Sequence, residues 1–152
     1  MSQSGSFLAY IIAVLWVIWG LVHALAGVLV LSGTTEAGFQ AIADAVPADQ
    51  LTGPYHAAVG GVLSQHAWNL LWFGVVTVIG AVFIARRSPT ALWVTAMVGG
   101  LADLGYFMFV DLGGFANFLP GTLMTLVSGA AILLSAFAWF NHAAAAKPAT
   151  PT

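Results

Sequence analysis

The chain has 152 residues, of which 61% are hydrophobic and 5% charged, with a formal net charge of -2. A soluble domain carries about 25% charged residues, so this composition excludes a water-exposed globule and points to a chain solvated by lipid. Three Lys+Arg leave no electrostatic footprint for nucleic acid, and the lack of cysteine excludes disulfides, iron–sulfur clusters and thiolate ligands or nucleophiles.

Four stretches are long and apolar enough to cross roughly 30 Å of hydrocarbon, which takes about 20 helical residues. The first covers 7–31; its apolar run exceeds that of a secretory signal and no Lys or Arg precedes it, so a span is expected rather than a leader. Residues 34–46 then predict a short amphipathic helix, capped by Thr34 or Thr35, with Glu36 in its first turn and Pro47 as its stop. Phe39, Ile42 and Val46 share one face of it, which suits a helix lying in the outer membrane interface; an ordinary ordered loop is the alternative. The second span covers 62–85, starting between Tyr55 and His66 and ending before Arg86-Arg87. The third covers 90–110 and holds one charge, Asp103, and the fourth covers 118–140. Each must be helical, because an open structure in lipid leaves its backbone polar groups unpaired. Residues 143–152 read as a flexible cytoplasmic tail following one transmembrane domain over 1–142. The expected fold is an all-α integral membrane protein, a four-transmembrane-helix antiparallel bundle with a short amphipathic helix in its first outer loop.

An even number of spans puts Arg86, Arg87, Lys147 and both termini on one face. The positive-inside rule makes that face cytoplasmic and the membrane the cytoplasmic one. Glu36, Asp44, Asp49 and Asp111 fall on the opposite, outer side, and Trp93 and Trp139 fall near the inner boundaries, where aromatic belts form.

Polar side chains inside a span need a reason, since Asp at a helix centre is unfavourable by about 2.5–3.5 kcal/mol on translocon scales. Counting depth at about 1.5 Å per residue brings His23, His66, Asn69, Asp103 and Thr125 to within one to two turns of a common level in the outer half. On each helix the polar residues and most glycines share one stripe, as the inward face of a membrane bundle requires. Packing and back-bonding to the own helix account for Thr77, Thr122, Ser128 and Ser135. His23 and Asp103 carry more: if they meet, the carboxylate orients the imidazole and raises its basicity, giving a proton-transfer pair. Tyr106 and Asn69 are the expected partners of Asp103 if they do not. Trp16, Trp19, Trp68 and Trp72 lie around the histidines, and flat aromatic walls suit a planar or apolar ligand. His56 reads as a solvated residue at the outer interface and His142 as a helix C-terminal residue.

These features predict a pocket that takes a small, largely lipophilic molecule. His23 and Asp103 are its catalytic pair, and His66, Asn69, Trp16, Trp19, Trp72, Tyr106 and Thr125 contact the ligand. A second class stays open: haem b held by His23 and His66 from successive helices, or a divalent metal held by three of His23, His56, His66 and Asp103. A third is a non-catalytic subunit or homo-oligomer in a larger membrane complex, docking through Gly74, Gly80, Gly99, Gly100 and Gly105. No Ser-His-Asp arrangement, phosphate loop or H-E-x-x-H motif is present in the sequence.

Overall fold

A computed structural model describes residues 3–145, whose regular structure is helical with no strand among the described residues. Helix α1 spans Gln3–Ser32, α2 Thr35–Ile42, α3 Ala57–Ala85, α4 Pro89–Tyr106 and α5 Leu123–Ala145. Four segments, Gly5–Ser32, Ala57–Ala85, Pro89–Asp111 and Phe118–Asn141, are long and apolar enough to cross a membrane. The last helix continues into the first residues of the expected tail; Lys147 and the rest of that tail, like the His142 side chain, lie outside the described residues.

Local chemistry explains the boundaries. Thr34 accepts a hydrogen bond from the Ala37 amide and caps α2. His56 accepts from the Ala58 amide at 3.2 Å and so acts as the cap of α3, which begins earlier than the apolar run alone implies. Between α3 and α4 the chain reverses within Arg86–Ser88: Arg87 adopts φ 64, the Ser88 hydroxyl caps α4, and Pro89 occupies the first turn. Helix α4 loosens at its far end into a π-helical turn over Phe107–Asp111, and the chain re-enters α5 after an extended Leu119.

Helices α1 and α3 touch backbone to backbone. A Cβ placed on Gly74 would lie 2.4 Å from the Gly20 carbonyl oxygen, and one on Gly27 would lie 2.6 Å from the Leu71 amide nitrogen. Positions rising along α1 therefore meet positions falling along α3. Gly99 of α4 receives the ring of Trp16, and Gly80 of α3 receives Thr95. The small-residue stripes thus pack the helices of one chain against each other. A Cβ on Gly105, by contrast, would meet nothing within 4 Å.

Burial is inverted relative to a water-soluble protein. Large apolar side chains such as Phe7 and Leu133 are exposed, while Thr77, Thr95, Asp103, Ser128 and Ser135 are buried beside Ile12, Trp16, Trp19, Ile84 and Ala131. An apolar coat around a partly polar interior is what lipid as solvent selects.

The two ends of the bundle differ. At the basic end, the Arg87 guanidinium donates to the Ser6 hydroxyl, tying the start of α1 to the α3–α4 connection. At the acidic end, Phe39 and Ile42 of α2 pack on Val30, Leu63 and Ala67. Asp44 accepts from the Asn117 amide at 2.7 Å, the Asn117 side chain donates back to the Asp44 carbonyl at 2.8 Å, and the Ala45 amide donates to the Phe115 carbonyl. The α2 segment is thereby fastened across the end of the bundle as a lid.

The glycine contacts set a test of the packing. Gly74→Val should lower unfolding stability in detergent by about 1–3 kcal/mol or more, the usual range for overpacking. Gly129→Ala, where a Cβ meets nothing within 4 Å, should be neutral or stabilise by about 0.5–1 kcal/mol through helix propensity. Equal effects of the two substitutions would contradict the backbone contact.

Candidate functional site

The packing just described puts a carboxyl group where four helices converge. Because Gly99 admits the Trp16 ring, the α1 tryptophans reach across to α4, and the next turn of α1 brings Trp19 beside Asp103. The Trp19 indole N–H donates to Asp103 Oδ1 at 3.0 Å, and the Ser128 hydroxyl of α5 reaches Oδ2 at 2.6 Å. Asp103 is only 4% exposed. One turn further along α1, the His23 ring stacks on Trp19 with centroids 3.7 Å apart and planes 19° apart. Its Nδ1 lies 2.8 Å from the Trp19 carbonyl oxygen and its Nε2 lies 3.9 Å from Asp103 Oδ1.

Donor counting orients the histidine ring. The Trp19 carbonyl can only accept, so Nδ1 of His23 carries a hydrogen, and the remaining nitrogen, Nε2, faces the carboxyl. Ser128 stands between two acceptors: its hydroxyl is 2.6 Å from Asp103 Oδ2 and 3.0 Å from the Thr125 carbonyl.

His23 and Asp103 open onto a cavity of about 70 Å³, which His66, Leu70, Tyr106 and Met124 also line and which Ala41 and Ile42 of the lid segment close. Beside it, a groove of about 670 Å³ runs down the α3–α4 side. His23, Ile42, His66, Leu70 and Tyr106 line both spaces, so the cavity adjoins the groove, and both are mostly apolar.

The other sequence-predicted residues take varied positions. Asn69 and Trp72 line the groove, and there the Trp72 indole donates to the Asn69 side chain rather than to Asp103. Tyr106 lines both spaces, its hydroxyl against Gly121. Trp16 is fully buried, donates to Ser135 and borders neither space, so it is core rather than wall. Trp19 is equally buried and acts through Asp103 and His23, not as a ligand surface. Thr125 turns its hydroxyl to Asp111 at 2.5 Å, where Thr122 joins it at 2.8 Å. Sequence reasoning treated Ser128 as packing and Asp111 as loop. Ser128 is a direct partner of the buried carboxyl, and its place on the Thr122–Thr125–Ser128 stripe is the one signal that could have shown it.

Two of the residues proposed to hold a cofactor, His23 and His56, have other partners in this geometry. The His23 nitrogen that would ligate iron faces Asp103 at 3.9 Å, and Trp19 covers one face of the ring. Among the described residues no three His, Asp or Glu side chains form a metal-holding group, and His56 is occupied as a helix cap. Comparison with protein-family models, curated proteins and solved structures gives no match.

The hydrogen bonds to Asp103 set a second test. Asp103→Asn keeps an acceptor for Trp19 and a donor for Ser128, and should change unfolding stability in detergent by less than about 1 kcal/mol. Asp103→Leu leaves the Trp19 indole N–H without its acceptor, while Ser128 keeps the Thr125 carbonyl, and should lower stability by about 1–3 kcal/mol. Equal stability of the two variants would contradict the network.

Proposed function

We propose that this chain is a multi-pass protein of the cytoplasmic membrane that binds a small, largely lipophilic molecule from the bilayer and exchanges a proton with it. The helices form an antiparallel bundle with both termini cytoplasmic and α2 lying amphipathically at the outer interface. The excess of cations at the Arg86–Arg87 end supports that orientation. One observation carries the functional reading: the juxtaposed His23 and Asp103 face a cavity that adjoins a lateral groove along α3 and α4. A ligand would lay its apolar part along Trp72, Phe73 and Phe109 and insert its polar end toward His23, His66 and Tyr106. His23 then serves as proton donor or acceptor to that end, with Asp103 as the reservoir behind it. Trp19 and Ser128 hold the carboxyl in place.

Gly105 lines the groove and has open space beside its backbone. Gly105→Trp should therefore fill the groove without disturbing the fold. A long-chain alcohol bearing a diazirine next to its hydroxyl, photolysed in bilayers, is expected to label His66 and Tyr106 preferentially in the parent chain. Labelling of those residues should fall at least about tenfold in Gly105→Trp, the loss expected when about 1.4 kcal/mol of binding is removed. Uniform labelling of lipid-facing residues, unchanged by the substitution, would contradict a pocket.

A further inference from the structure

Resting on that reading of the pocket, we infer that Ile42 is its selectivity wall, which confines the ligand's polar end to a small uncharged group on a single chain, such as a primary alcohol.

Three spaces meet beneath the lid segment. The cavity beside His23 and Asp103 is about 70 Å³, the α3–α4 groove about 670 Å³, and a second groove, between α2 and the first turns of α3, about 590 Å³. Phe39, Val59, Val62 and Leu63 are among the residues along this second groove. Ile42 and His66 are the two residues common to all three spaces, so they form the partition between the cavity and the α2–α3 groove. Ile42 is held from two sides. It ends α2 and packs with Phe39 on Val30, Leu63 and Ala67, and two residues later Asp44 is hydrogen-bonded to Asn117. A β-branched side chain is stiff about its first bond, so a residue fixed in this way makes a rigid wall.

Size and charge then limit what enters. At roughly 10–15 Å³ of centre space per water, the cavity has room for about five waters, or a polar end of about five heavy atoms. With the partition in place, the α3–α4 groove takes the apolar part of the ligand, and a second branch at the polar end would collide with Ile42. Discrimination by such a clash is as effective as an added contact. No Lys or Arg lines the cavity, and its one carboxyl, Asp103, is already hydrogen-bonded at both oxygens by Trp19 and Ser128. An ionic end of either sign therefore finds no unengaged counter-charge, and an uncharged one is favoured.

The experiment is competition against the diazirine alcohol, in bilayers containing the full chain, by 1-decanol and by a decyl chain ending in dicyclohexylcarbinol. In the parent chain 1-decanol should suppress labelling of His66 and Tyr106. The carbinol should need at least about tenfold more to do so, a difference of about 1.4 kcal/mol. In Ile42→Ala the carbinol should gain at least about tenfold, one ring passing into the α2–α3 groove, while 1-decanol changes by less than about threefold. A chain that merely failed to fold would gain nothing. Ile42→Leu, which conserves volume, should keep the discrimination. So should Phe39→Ala, which loosens α2 from the same apolar cluster but does not line the cavity. Equal competition by the two alcohols in the parent chain, no gain in Ile42→Ala, or the same gain in Phe39→Ala would overturn the inference and leave the pocket standing. Failure of 1-decanol to compete in the parent chain would remove the pocket and the inference with it.

Discussion

A carboxyl group buried among four apolar helices is the constraint around which this molecule is arranged. Left alone at that depth, Asp103 would be unfavourable by several kcal/mol. The fold surrounds it instead: Trp19 binds one oxygen, Ser128 the other, and the His23 ring stands opposite at 3.9 Å. Each partner comes from a different position in the chain, so the cluster also fixes how α1, α4 and α5 rotate against one another. Polar groups that would be costly singly become a register device when satisfied together.

The glycines make that convergence possible. Trp16 and Trp19 are two of the largest side chains a helix can carry, and both are fully buried on one face of α1. They fit because Gly99 leaves space for one ring on α4, while Gly20 and Gly27 draw α1 onto α3 on its other side. Bulky residues on α1 and missing side chains on its neighbours are two halves of one packing solution. The groove along α3 and α4 is the place where this solution leaves volume unfilled, and there the polar interior reaches the lipid-facing surface.

Much of this architecture is legible in the residues alone. Hydropathy locates the four membrane-length helices, and Arg86-Arg87 with Ser88-Pro89 marks a tight reversal whose serine cap and first-turn proline follow from their chemistry. Depth counting sets His23 and Asp103 at one level, where the folded chain has them 3.9 Å apart. Rotation about each helix axis is harder to read. Thr125 sits at the right height, yet its hydroxyl turns toward Asp111, because the π-helical turn at Phe107–Asp111 carries that carboxylate back over α5. Ser128 is a turn deeper and looks like any back-bonding serine until the distance to Oδ2 is known. The tryptophans divide the same way: composition cannot tell Trp16, sealed in the core, from Trp72, facing the groove, since both lie beside histidines in sequence.

The account stands or falls on whether Asp103 sits among Trp19, Ser128 and His23. Solid-state NMR of the chain in bilayers, with labelled tryptophan and histidine ring nitrogens and aspartate carboxyl carbons, measures those contacts directly. The Trp19 indole nitrogen should correlate with the Asp103 carboxyl carbon, and Nδ1 of His23 should carry a hydrogen bonded to the Trp19 carbonyl. A Trp19 indole with no correlation to Asp103, or a bare Nδ1, would contradict it.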